Sequence, residues 1–167
     1  MNENIRGHNL LLIGSGCDLN GRRLGKQIDS GKFGLVCRIN KPYGLPADVG
    51  TRTDVIITRW SSWVKKFFGT DKPTCPCVIL NEHLGFSVQE HLLASLECGV
   101  TRPSAGILAI CWALNRGAAR VRVIGFGYDA RSGWANQKIY ASGELDANPL
   151  YDWDREHKWI QRHAELL

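Results

Sequence analysis

Five stretches of this chain combine small, hydroxylated or charged residues with one end of an apolar run, where a folded backbone leaves polar groups free. Gly14-Ser15-Gly16 follows the run Leu10-Leu11-Leu12-Ile13 at once, and reads as a buried strand feeding a tight loop. Arg38-Ile39-Asn40 closes a second run, Phe33 to Cys37, and Thr58-Arg59 closes a third, Val55 to Thr58. Ser104-Ala105-Gly106 opens a strongly apolar helix-like segment. Free backbone N–H groups and the positive end of a helix dipole at such a start make a ready anion site. The same three residues also suit a plain core helix with a serine cap. Gly125-Phe126-Gly127 ends the run Arg120 to Ile124. Cys75-Pro76-Cys77 has no second pair and no neighbouring histidine, so it reads as a loop or strand entry rather than a zinc site.

These stretches need elements to position them. Strand, polar loop, short helix and strand in repetition predict an α/β fold: a Rossmann-like, open, mostly parallel twisted sheet with helices on both faces. Ligands of such sheets sit at the C-terminal ends of the strands, where the stretches above lie. The strands are expected at 10–13, 33–37, 55–58, 77–80 and 120–124. Residues 21–30 read as a short helix, with Leu24 and Ile28 four apart. Trp60, Trp63, Phe67 and Phe68 have helical spacing, which suits either a core stripe or a stacking surface for an acceptor. Ser87 with Glu90 three residues on is a capping box for a helix to Cys98, with Gly99 as its stop. Residues 129–150 read as a long loop, and 152–166 as a last helix.

At 167 residues the chain is read as a single domain, 1–167, with a full core. Its net charge of +5 fits an anionic ligand such as a nucleotide or nucleic acid, and equally plain solubility. No signal peptide or apolar segment of membrane-spanning length is present, so a cytoplasmic protein with no membrane partner is expected. Among the six cysteines, Cys37 and Cys111 lie in apolar runs and read as buried small hydrophobes. Gly14-Ser15-Gly16 lacks the third glycine of a dinucleotide fingerprint, since Leu19 stands there, which argues against an oxidoreductase.

Taken in order, the motifs resemble glycosyltransferase family 29, the sialyltransferases, whose fold is a GT-A variant. Ile13 to Leu19, Gly25 to Ser30, Arg38-Ile39-Asn40 and Asp48 to Thr53 match that family's long first motif. Pro103-Ser104-Ala105-Gly106-Ile107-Leu108, continuing through Val123 to Gly127, matches the short second one. The resemblance runs over roughly residues 10–160 and implies a nucleotide-sugar donor of the CMP-sugar kind. It implies an inverting transfer to an acceptor hydroxyl without metal or other cofactor. Nucleotide-binding residues by resemblance are Gly14, Ser15, Gly16, Arg38, Asn40, Ser104, Ala105, Gly106 and Gly127. Here Ser15 replaces the family's asparagine and Ala105 its threonine.

The family's closing histidine-and-glutamate motif corresponds to Tyr151-Asp152-Trp153-Asp154-Arg155-Glu156. Glu156 is kept, Tyr151 stands where the histidine should be, and His157 is a candidate substitute base. The catalytic set expected from the resemblance is therefore Tyr151, Glu156 and His157, with Asp129 and Asp152 as further carboxylates nearby. His8 or Asn9 stands near the family's first bridging cysteine, so no disulfide between the motifs is expected. A compact member of this kind suits a bacterium or bacteriophage. The acceptor is a glycan or a hydroxylated base of phage DNA, the basic charge and the aromatic stripe inclining to the latter. The other reading is a non-catalytic nucleotide-binding protein on the same fold. Oligomeric state is not legible.

Overall fold

The computed structural model describes residues 5–40, 44–59, 64, 75–80, 95, 97–101, 103–127 and 152–167. Its centre is a six-stranded, wholly parallel sheet. The strands are β1 (Asn9–Ile13), β2 (Leu35–Ile39), β3 (Val55–Thr58), β4 (Cys77–Ile79), β5 (Arg120–Ile124) and β6 (Glu165–Leu166). Their order is β4-β3-β2-β1-β5-β6. From β1 the chain first builds outward through β2, β3 and β4, then returns to lay β5 on β1's other side. That reversal makes the β1/β5 seam a topological switch point, where two adjoining strand-end loops part and leave a crevice.

Successive residues of a strand face opposite sides of the sheet, and the apolar runs supply both faces. Leu10 and Leu12, with Cys37, Ile39, Val55, Ile57, Val121 and Val123, form one core layer. Leu11 and Ile13, with Val36 and Ile124, form the other. The first layer is covered by α3 (Ala105–Asn115) and α4 (Trp153–His163), the second by α1 (Gly25–Asp29) and α2 (Pro46–Val49). The expected architecture, parallel sheet with helices on both faces, is what the chain adopts.

Helix α3 is buried continuously from Ile107 to Ala113 and packs across β2, β1 and β5. Ser104 caps it, its Oγ accepting from the Ile107 N–H at 3.4 Å. At the far end Gly117 takes φ +74°, and the amides of Gly117 and Ala118 donate to the carbonyls of Leu114 and Ala113. This paired closure satisfies the last carbonyls and turns the chain into β5. Gly99, also left-handed at φ +67°, stops the preceding helical residues Ser95, Glu97 and Cys98 as expected. The rest of that helix, and the aromatic stripe apart from a buried Val64, lie outside the described residues.

Two expectations are corrected. The last helix ends at His163, not at residue 166. Ala164 is extended, and Glu165–Leu166 pair in parallel with Arg122 and Val123 as an edge strand. The cause is charge: Glu165 accepts from Arg120 at 2.6 Å and from Arg122 at 3.1 Å across the strand pair. The polar lead-in contains one core residue, Ile5, which is buried against the first layer. Cys37 and Cys111 are buried as read, and so is Cys98.

Candidate functional site

The C-terminal ends of β1 and β5 meet backbone to backbone. Gly14 N–H donates to the Ile124 carbonyl at 2.9 Å and Gly16 N–H to the Gly125 carbonyl at 2.7 Å. A Cβ at Gly14 would overlap the Gly125 carbonyl oxygen, and one at Gly16 the Gly127 carbonyl oxygen. These two glycines are therefore required by close approach. The 3-10 turn Cys17–Leu19 that follows delivers Asp18 to the same seam. Its Oδ2 accepts from Gly125 N–H at 3.0 Å and its Oδ1 from Gly127 N–H at 2.8 Å. One carboxylate thus stitches the β1 loop to the β5 loop, and Arg22 rests on it with Nη2 3.7 Å from Oδ2. Ser15, between the two glycines, is half-buried and has no hydrogen bond to a described residue.

The next strand ends continue the edge. Asn40, after β2, holds the left-handed φ of 59°, uncommon outside glycine but tolerated by asparagine. Its N–H donates to the Ile57 carbonyl at 2.7 Å, and its Oδ1 accepts from Thr58 Oγ1 at 3.3 Å. Arg38 is only 2% exposed. Its Nε donates to the Arg52 carbonyl and Thr53 Oγ1, and its Nη2 to the carbonyls of Val49 and Gly50, at 2.8–3.1 Å. The structure thus places the Arg38 guanidinium inside the 49–53 loop, which it folds around itself.

The N-terminus of α3 closes the edge from the other direction. A Cβ at Gly106 would stand 2.8 Å from the Phe126 ring, so this helix end abuts the β5 loop. The amides of Ala105 and Gly106 belong to the first turn and have no partner within the helix. Arg59, buried at the end of β3, donates through Nη1 to the Pro103 carbonyl at 3.4 Å. Glu156 arrives from α4 on the inward face that also carries Trp159 and Ile160. It is 2% exposed, and its Oε1 accepts from the Ser104 N–H at 2.7 Å. Burial pushes its carboxyl up to about 7, against the Ser104 hydrogen bonds and the Arg59 charge, which favour the ionised form.

The structure thus gathers Gly14, Ser15, Gly16, Asn40, Ser104, Ala105, Gly106, Gly127 and Glu156 along one edge of the sheet. His157, one position round α4 from Glu156, is half-exposed, and its Nε2 pairs with Gln161 Nε2 at 3.1 Å. Asp152 is exposed and caps α4, accepting from Arg155 N–H at 3.1 Å. Tyr151 and Asp129 lie outside the described residues. Sequence reasoning missed Asp18, although it stands two residues past the Gly-Ser-Gly loop. An acid there ran against the expectation of an anion site, and nothing local announced its two amide partners.

Residues 9–78 match the model of glycosyltransferase family 29 (sialyltransferase). No curated protein matches the chain in sequence. Among solved structures, a mammalian sialyltransferase superposes with a TM-score of 0.65 at 17% identity, covering 96% of this chain and 69% of its own. A mammalian sialyltransferase in complex with Gal-beta-1-3GalNAc-ortho-nitrophenol gives a TM-score of 0.63 at 17% identity, with the same coverage of 96% and 69%. At that identity the likeness speaks for the fold, and the sequence match speaks for residues 9–78. The resemblance to family 29 is thereby shown: residues 9–78 carry its sequence, on a chain that folds as the mammalian sialyltransferases do.

Proposed function

We propose that this chain is an inverting, metal-independent glycosyltransferase whose donor is a CMP-activated sugar. The observation that carries the proposal is the open first turn of α3, set against the β5 loop at the switch point, with Arg59 and Glu156 behind it. The amides of Ala105 and Gly106 take the donor phosphate. Ser15 and Asn40 face the phosphate and nucleoside, and Gly127 lies against the ribose. Arg38 serves by holding the 49–53 loop beside them. A glycan acceptor is supported by the mammalian sialyltransferase that holds a Gal-beta-1-3GalNAc derivative. A hydroxylated DNA base is the other acceptor worth assaying, on the net charge of +5.

In the transfer the acceptor oxygen attacks the anomeric carbon, the bond to the phosphate oxygen breaks, and CMP departs with the electron pair. Glu156, buried at the helix end, belongs to the departing phosphate, where its protonated form donates a hydrogen bond. Tyr151 and His157 remain for the acceptor's proton. Loss of transfer with CMP binding kept in His157→Gln assigns it to His157, and the same result in Tyr151→Phe to Tyr151.

The test is calorimetric titration with CMP, UMP and GMP, followed by assay of CMP-sugar turnover. Preferential CMP binding, lost in Ser104→Trp, is expected. Binding to no nucleotide refutes the proposal. Because Tyr151 replaces the family's histidine, a second reading stands beside the first: a nucleotide-binding protein without catalysis. CMP binding with neither transfer nor hydrolysis of the CMP-sugar would establish that one.

A further inference from the structure

Resting on the donor site just proposed, we infer that the donor phosphate and the Glu156 carboxylate compete for one helix end, so that nucleotide binding places a proton on Glu156. The geometry puts two anions in one place. Glu156 Oε1 already sits 2.7 Å from the Ser104 N–H, one and two residues from the amides of Ala105 and Gly106. The side chain is 2% exposed, so water does not screen it from a phosphate arriving there.

The charges facing Glu156 do not resolve the conflict. From the end of β3 comes Arg59, whose charge favours the ionised form. From α4 comes Asp152, which adds a second negative charge. From the segment before α3 comes Cys98, whose thiol burial pushes up to about 11, so that it stays neutral. Beyond it Glu97 accepts from Trp159 Nε1 at 3.3 Å and lies 3.9 Å from His163 Nε2. A phosphate arriving beside the Glu156 carboxylate puts two negative charges in one buried place. The least costly remedy is to protonate the carboxylate, which burial has already brought to about 7. The protonated carboxyl then has an O–H to offer the phosphate.

Calorimetry of CMP binding at pH 8, in HEPES and in Tris, tests this, because the difference in buffer ionisation enthalpy counts the protons taken up. The wild-type protein is expected to take up about 0.9 proton, the fraction of Glu156 ionised at pH 8 when its pKa is about 7. Between pH 7.5 and 9 the CMP phosphate is already fully ionised, its second pKa lying near 6. In that range the dissociation constant should weaken about tenfold per pH unit. Glu156→Gln should bind CMP with no proton uptake attributable to this site and a flat pH dependence. Cytidine, which lacks the phosphate, provides the same control without altering the protein, and should bind without proton uptake. CMP binding without proton uptake by the wild type, or uptake unchanged with cytidine or in Glu156→Gln, overturns the coupling and leaves the donor site standing. Failure of the wild type to bind CMP anywhere from pH 6 to 9 overturns both.

Discussion

Replacing Glu156 by glutamine should remove a pH dependence of stability that this one carboxyl creates. In the folded protein its pKa rises from the ordinary 4.5 to about 7, so between those values the folded state holds a proton that the unfolded chain has released. Stability therefore falls as pH rises through this window, and is level above it. The full rise corresponds to about 3 kcal/mol, and the part between pH 5 and pH 8 to about 2.5 kcal/mol. The group is 2% exposed, so solvent screening takes little from that figure. Glutamine keeps the size of the side chain and an oxygen for the Ser104 N–H, and carries no charge at any pH. With a urea m-value near 2 kcal/mol/M, the wild-type midpoint should drop by about 1.2 M more than that of Glu156→Gln between pH 5 and pH 8. The variant provides the background, since Asp29, held below the usual carboxylate range by the Arg52 and Thr51 amides, titrates identically in both. Parallel midpoints across pH 5–8 would refute the reasoning, because they would mean that Glu156 is neither buried nor protonated as its surroundings require.

Substitutions at four further positions separate structure from recognition. Arg38→Met should cost about 3 kcal/mol in urea denaturation, because it leaves the carbonyls of Val49, Gly50 and Arg52 without their donor; Arg38→Lys should not restore the loss, lacking the guanidinium fork. Gly16→Ala should destabilise by about 3 kcal/mol or more, since its Cβ meets the Gly127 carbonyl and stands 2.6 Å from Asp18 Oδ1. Gly127→Ala should be milder in the same melts, as its nearest atom is the Asp18 carboxylate at 2.9 Å. Asn40→Gly should fold within about 1 kcal/mol of wild type, because glycine takes the positive φ freely, yet lose about tenfold in CMP affinity. Unchanged affinity in that variant would make Asn40 a turn residue only.

The sheet was legible because its strands carry the signal themselves. Leu10 to Ile13 and Val55 to Thr58 are continuous apolar runs closed by small or polar residues, and a strand buried on both faces has to look that way. The edge strand β6 was not legible, because it is two residues long and no periodicity exists over two residues. Its pairing depends on Glu165 meeting Arg120 and Arg122, and forty-odd residues separate those partners. The helical reading of 152–166 failed at Ala164 for the same reason: a cross-strand ion pair outweighed a helix propensity that extended past the true end.

The site divides along the same line. Residues whose role follows from their place on an element, such as Ser104 at a helix start or Asn40 at a strand end, were found from sequence. Residues whose role follows from a distant partner cannot be found from local position. Asp18 bonds amides 107 and 109 residues away, and Glu156 bonds one 52 residues away. A carboxylate needs only a donor within reach, so any of the chain's 16 acids was an equal candidate until the fold brought them together. Glu156 was singled out by family resemblance, but what resemblance could not supply was its physical state. That state follows from how deeply α4 buries it. Burial raises its pKa to about 7, so near neutral pH small changes set the charge at the helix end proposed to take the phosphate.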